Sequence, residues 1–169
     1  MALKADRYEE STDISYFYNA GTATRGGVVV LDAAALAGAS GAALDQGENL
    51  VKYANATATD VPVGILLNDV VNKDLTRTHL NQHKDEVQLG GKVTVLRKGY
   101  VVTNSIEGTP SAGDIAYVHN NGNISNGSSI AVATLVASGN LAVGRFLSSK
   151  DEDGYAKVEV NLPQANVTI

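Results

Sequence analysis

Two histidines four residues apart are the first side chains here whose spacing could support chemistry. His79 and His83 would share one face of a helix, and Asp85 and Glu86 follow, a donor set that zinc can use. The His-Glu-x-x-His pattern of zinc proteases is absent, and three histidines without any cysteine leave few other ligands. A solvated loop is the favoured interpretation. We predict no metal and no cofactor, and keep His79 and His83 as candidate partner-binding residues.

Acidic and nucleophilic motifs are the next candidates for chemistry. The acidic run 151–153 before Gly154 lacks the spacing of a calcium loop, so a charged hairpin tip explains it better. The sequence has no Gly-x-Ser-x-Gly elbow, and no Walker or dinucleotide-binding glycine pattern follows a predicted strand. Carboxylates converging from distant strands would make a hydrolase, which remains an alternative, but no pair stands out. The sequence therefore predicts a protein that is not an enzyme.

Charge and composition exclude several partner classes. Thirteen basic and eighteen acidic side chains give a formal charge of −5, which is the wrong sign for a broad nucleic-acid interface. No apolar stretch is long enough to cross a membrane, and the charged residues 1–10 do not resemble a secretory signal. We therefore expect no nucleic acid, no membrane and synthesis in the cytoplasm.

The elements that must position any site are predicted to be strands. Aromatic residues make up 5% of the chain and tryptophan is missing, so the core depends on Val, Leu, Ile and Ala. These residues recur in short β-branched runs typical of strands. The predicted strands are 27–31, 61–67, 93–96, 100–103, 115–118, 130–136, 141–147 and 155–162. In the last of them, alternation should turn Lys157, Glu159 and Asn161 to solvent.

Two segments do not have the pattern of a strand. Residues 33–44 are rich in alanine with two interspersed glycines, which indicates a loop or a short helix. Residues 72–88 are polar and charged in a chain that is otherwise sparing with charge. We predict that 72–88 is an insertion leaving the sheet.

A weak internal repeat is the main clue to organisation. Val-Gly-Ile-Leu-Leu at 63–67 is echoed by Val-Gly-Arg-Phe-Leu at 143–147, and 22–30 loosely parallels 109–117. The interpretation is two weakly similar units, with 72–88 inserted in the first. Segments this short also match by chance, which is the alternative.

The amino end carries an unusual concentration of aromatic residues. Tyr8, Tyr16, Phe17 and Tyr18 are four of the nine aromatics and fall within the first eighteen residues. Such residues are enriched among interface hot spots, so we predict that 1–21 is an extended arm that anchors the protein to a partner. The alternative is a first strand over 13–19. Both hold if the arm pairs with a neighbouring subunit.

Several segments together resemble a known family. They are Gly-Val-Val-Val at 27–30, Val-Pro-Val-Gly-Ile-Leu-Leu-Asn-Asp-Val at 61–70, Gly-Gly-Lys-Val-Thr-Val-Leu-Arg-Lys-Gly-Tyr at 90–100, Ser-Ala-Gly-Asp-Ile-Ala-Tyr at 111–117 and the segment 143–147. With them the chain resembles the small capsid decoration (cement) proteins of tailed bacteriophages, over about 22–162.

The resemblance implies an all-β decoration domain over 22–169, a small β-barrel or β-tulip. It also implies a structural virion protein that binds the major capsid protein on the capsid exterior, commonly as a homotrimer at three-fold positions. Such a protein bridges capsid subunits and stabilises the shell against the pressure of packaged DNA. A receptor-binding or glycan-binding β module of a phage fibre is the alternative, for which exposed tyrosines would also serve.

Overall fold

A computed structural model describes residues 2–32, 49–55, 60–73, 86–127 and 142–162. Within these ranges the chain is almost entirely β, which confirms the predicted all-β class. The strands are β1 (Leu3–Tyr18), β2 (Val28–Leu31), β3 (Leu50–Tyr53), β4 (Pro62–Leu66), β5 (Asp69–Val71), β6 (Glu86–Gln88), β7 (Lys92–Thr103), β8 (Ile106–Glu107), β9 (Ile115–Val118), β10 (Ile124–Ser125), β11 (Ala142–Phe146) and β12 (Ala156–Asn161). A 3-10 turn spans Asn120–Gly122.

Three sequence predictions fall on residues outside the described ranges. They are the strand at 130–136, the loop or short helix at 33–44, and most of the insertion at 72–88. No helix in the described part of the chain is long and apolar enough to cross a membrane.

The first half of the fold is a closed ring of five strands. β3 pairs with β1 and β2, β4 pairs with β2 and β7, and β7 pairs back with β1. The β1–β3 pair is parallel and the others are antiparallel. Each strand of the ring thus has two neighbours, although β1 meets β3 only at Phe17 and Tyr18.

The second half of the fold continues from the same long strand. β7 pairs along its second half with β12, which leads through β11 and β9 to β10 and β8. β8 follows β7 in the chain after two residues. Along one edge, β7 pairs first with β4 and then with β12; along its other edge it pairs with β1. β7 belongs to both halves.

Backbone hydrogen bonds show that the two halves are equivalent units. The Gly26 N–H donates to the Leu66 carbonyl at 2.7 Å, and the Gly113 N–H donates to the Phe146 carbonyl at 2.8 Å. Gly26 and Gly113 both have left-handed φ angles, +102° and +97°. These residues lie at matching positions of the sequence repeat, so the repeat is a structural duplication rather than a chance match.

A second pair of glycines, one in each unit, also lies at matching positions of the repeat. Gly64 and Gly144 each lie where a Cβ atom would overlap a backbone carbonyl of the next strand, that of Leu96 and Glu159 respectively. β5 and β6 lie between β4 and β7, where the second unit makes its turn at 153–154. They form a separate parallel pair: β5 comes just before the insertion predicted at 72–88, and β6 is made of the last three residues of that insertion.

Alternate residues of β2 face two different cores. Val29 of β2 packs with Val51 and Val95, whereas its neighbours Val28 and Val30 pack with residues of the second unit. Strands buried on both faces show continuous apolar runs, which explains Val-Val-Val at 28–30. In β12 the pattern is one-sided, and Glu159 and Asn161 are exposed as the alternation predicts, with Lys157 half-buried.

The amino-terminal segment is a strand of the sheet in this structure. Residues 3–18 form β1, which pairs with β7 and closes the first ring. Leu3 and Tyr18 are buried near its two ends, while residues 5–15 are exposed or half-buried. Deleting the whole of 1–19 would therefore open the ring, and a docking role for this segment needs substitutions that keep β1 in place.

Candidate functional site

The four amino-terminal aromatics divide into surface and core residues. Tyr8 is 54% exposed, and Tyr16 and Phe17 are half-buried. Tyr18 is 1% exposed and packs edge-on against Tyr53, with ring centroids 6.0 Å apart. Burial raises the pKa of Tyr18 to about 12. Tyr18 supports the chain's own core and offers no surface to a partner, so its assignment as a partner-binding residue is corrected.

The histidine pair lies outside the described residues. His79 and His83 both fall in 74–85, so their prediction as partner-binding residues stays a prediction. Over the part of the chain that the structure describes, no group of three or more His, Asp or Glu side chains could hold a metal ion.

Tyr8 belongs to a row of outward-facing side chains that crosses five strands. Tyr8 lies opposite Tyr100, Tyr100 opposite Glu159, Glu159 opposite Arg145, and Arg145 opposite Ile115. Directly opposite residues of paired strands point to the same face. Tyr100 is half-buried and the other four are exposed. We call these five residues the outer row; it combines aromatic, apolar and charged groups, as protein interfaces do.

The aromatic end of the outer row is held in place before any partner arrives. The Tyr8 and Tyr100 rings stack with centroids 5.9 Å apart and an interplanar angle of 27°. The Lys157 Nζ lies 3.7 Å from the Tyr100 ring centroid, a cation–π contact. Beside them, Lys98 Nζ and Glu10 Oε1 form an ion pair at 2.6 Å. A rigid aromatic anchor loses little conformational entropy on binding.

A second contact ties the start of β1 to the turn before β12. The Lys4 Nζ donates to Asp151 Oδ2 at 2.9 Å and lies 4.2 Å from the Tyr155 ring centroid. The hydrogen bond from Lys4, followed by that from the Tyr155 backbone N–H, lowers the pKa of Asp151. The same contact with Asp151 raises the pKa of Lys4. The first half of β1 is thus fixed by charges that titrate outside the neutral range.

The contact between Lys4 and Asp151 should weaken in acid. Because the folded pKa of Asp151 lies below the ordinary aspartate value of about 3.9, its stabilising contribution is complete above that value. It is lost as the pH falls through the lower folded pKa. In an NMR titration, the Lys4 amide shift should move with a midpoint below about 3.9. Asp151→Asn should abolish this transition and Asp153→Asn should retain it; a transition that survives Asp151→Asn would contradict the assignment.

Most members of the outer row carry no signal in the sequence. The alternation of 156–162 predicts that Glu159 faces solvent, but its neighbours Tyr100 and Arg145 are known only once the strand register is known. Ile115 is 44% exposed although it begins an apolar run. Its exposure follows from its position opposite Arg145.

Comparison with known proteins adds a family match. A family model described as structural cement protein (E217 gp24/Pam3 gp6) matches residues 10–161. The match spans both units and the second half of β1, and residues 3–9 of β1 precede it. No curated protein matches the chain.

Proposed function

The chain belongs to the family of phage structural cement proteins, and from that premise we propose that it binds the outer surface of a capsid and bridges neighbouring capsid subunits. As a structural cement protein it is a component of the virion capsid. The observation that carries the proposal is the family match over 10–161, which includes both units of the duplication.

The outer row supports a role in binding and supplies the contact surface of this proposal. Tyr8 and Ile115 are its exposed apolar members, at opposite ends, with Glu159 and Arg145 between them. Apolar anchors bury area on docking, and the charges fix orientation. We propose the major capsid protein as the partner of this face.

We further propose that the protein acts as a homotrimer at three-fold positions, after synthesis in the host cytoplasm, and acts by binding rather than catalysis. The family resemblance supports the trimer. A ligand that binds the closed shell but not its separated subunits stabilises the shell by mass action. Three copies joined together raise the effective concentration of each contact, so individually weak contacts give lasting attachment.

Undecorated heads of the phage provide the direct test. Purified protein should co-sediment with them, reach saturation at a fixed stoichiometry, and raise the temperature at which the heads release DNA, because it stabilises the closed shell. Failure of a folded sample to bind would overturn the proposal. Binding to a glycan array without binding to heads would favour a fibre module instead.

A further inference from the structure

Arg145 of the outer row has no partner for its guanidinium among the described residues. Every other lysine and arginine in the described ranges forms an ion pair, a hydrogen bond or a contact with an aromatic ring. The Arg145 side chain is exposed. A guanidinium is a planar fork of N–H donors whose shape matches a carboxylate. Arg145 therefore offers an unused carboxylate-binding group on the outer face of the sheet.

Glu159 lies directly opposite Arg145 and yet does not pair with it. The two residues face each other across β12 and β11, and both are exposed. No ion pair joins them, and the Glu159 carboxylate has no other side-chain partner in the part of the chain that the structure describes. An ion pair between two exposed side chains contributes little in water. Both charged groups are thus available to a partner.

Exposed apolar side chains flank this charged pair. Ile115 lies next to Arg145 in the row, and Leu147, two residues beyond Arg145 on the same face, is exposed as well. On the other side of the pair, Tyr8 is stacked on Tyr100. Charged groups surrounded by apolar contacts are typical of a binding hot spot, because the surrounding contacts exclude water.

The position of the charged pair restricts the chemistry of the partner. Tyr8 and Ile115 are four strand intervals apart, which is about 19 Å along the sheet. A partner surface that contacts both of them therefore also covers Arg145 and Glu159. Covering an unpaired charge removes its water, which is costly unless the partner supplies the opposite charge. The partner must then place a carboxylate at Arg145 and a cation at Glu159.

We propose that Arg145 and Glu159 bind a carboxylate and a neighbouring cation of a capsid subunit, roughly 5 Å apart, as opposite residues of adjacent strands are. The inference rests on the proposed function for the identity of the partner. The guanidinium of Arg145 donates to both oxygens of the carboxylate, and the Glu159 carboxylate accepts from the cation. The order of the charges also fixes how the row is oriented on the capsid, because turning the protein by half a turn would set like charges against each other.

Exchanging the two charges tests the inference. The double variant Arg145→Glu, Glu159→Arg keeps the formal charge of −5 and an opposite-charge pair on the same two strands, so its urea midpoint should be unchanged. Its affinity for undecorated heads should fall at least about thirtyfold, because repulsion replaces attraction at both positions. Arg145→Ala should lose about tenfold, and it decides the question if the double variant is less stable.

The matched control exchanges Lys73 and Glu86. These residues are already paired with each other at 2.6 Å beside the β5–β6 sheet, and their exchange also keeps the formal charge. Lys73→Glu with Glu86→Lys should bind heads as the unmodified protein does.

The outcomes separate the inference from the proposed function. Head binding that neither the exchange at 145 and 159 nor Arg145→Ala weakens would overturn the inference and leave the proposed function standing. No head binding by the folded, unmodified protein would overturn both. A second copy of the chain would keep its contact in the double variant, since both copies change together. A dimer mass in both forms of the free protein, with unchanged head binding, would assign the pair to self-association and overturn the capsid contact.

Discussion

Gly99→Ala should destabilise the protein by about 3 kcal/mol, because it adds backbone strain and a steric clash at the same residue. Gly99 has φ +143°, a conformation that side chains rarely adopt, and a Cβ there would overlap the backbone carbonyl of Tyr8. β1 must therefore move away from β7 along the pairing that closes the first ring. Urea denaturation measures the loss of stability, and faster amide exchange in β1 would locate it.

Gly154→Ala is the matched control for this substitution. Gly154 also has a positive φ, +82°, but no atom lies within 4 Å of the position of an added Cβ. It should cost about 1 kcal/mol, the effect of strain alone. If the two variants lose equal stability, the close approach of β1 at Gly99 does not hold the fold together.

Tyr18→Ala should cost about 4 kcal/mol, whereas Tyr8→Ala should cost less than about 1 kcal/mol. Tyr18 is almost fully buried in the core that also holds Val29 and Val51, and its removal leaves a cavity beside Tyr53. Tyr8 is more than half exposed and loses only its stack on Tyr100. Denaturant midpoints at constant slope would measure both changes.

When binding to heads is measured instead of stability, the substitution at Tyr8 should have the larger effect and the substitution at Tyr18 the smaller one. Tyr8→Ala should weaken attachment severalfold, because aromatic anchors supply much of the energy of an interface. Tyr18→Phe keeps the buried ring and should bind heads as the unmodified protein does. If the Tyr8→Ala variant binds heads normally, Tyr8 does not contribute to the proposed contact of the outer row with the capsid.

Local patterns predicted the parts of the fold that depend on neighbouring residues. The alternation in β12 predicts its inner and outer faces, and the echo of 63–67 in 143–147 identifies the duplicated units. Both signals are carried within short segments: period-two alternation fixes faces, and a repeated glycine marks a repeated close approach.

Long-range pairing accounts for what the sequence did not predict. In the strand formed by 3–18, residues 5–15 are exposed or half-buried on both faces, so polar side chains can occupy both faces there. Such a strand shows no apolar alternation, and its sequence is also typical of an arm. The burial of Tyr18 depends on ring closure by β3 and β7, which no local pattern reports.

The sharing of β7 between the two units has a mechanical consequence for a structural cement protein. Because Lys92–Thr103 is a member of both units, a pull between them travels along covalent bonds of one strand instead of across a seam of side chains. The hydrogen bonds to β1 and β12 then bear load side by side, in shear, and must break together rather than one at a time. The continuous backbone of β7 would then resist tension applied between the two units.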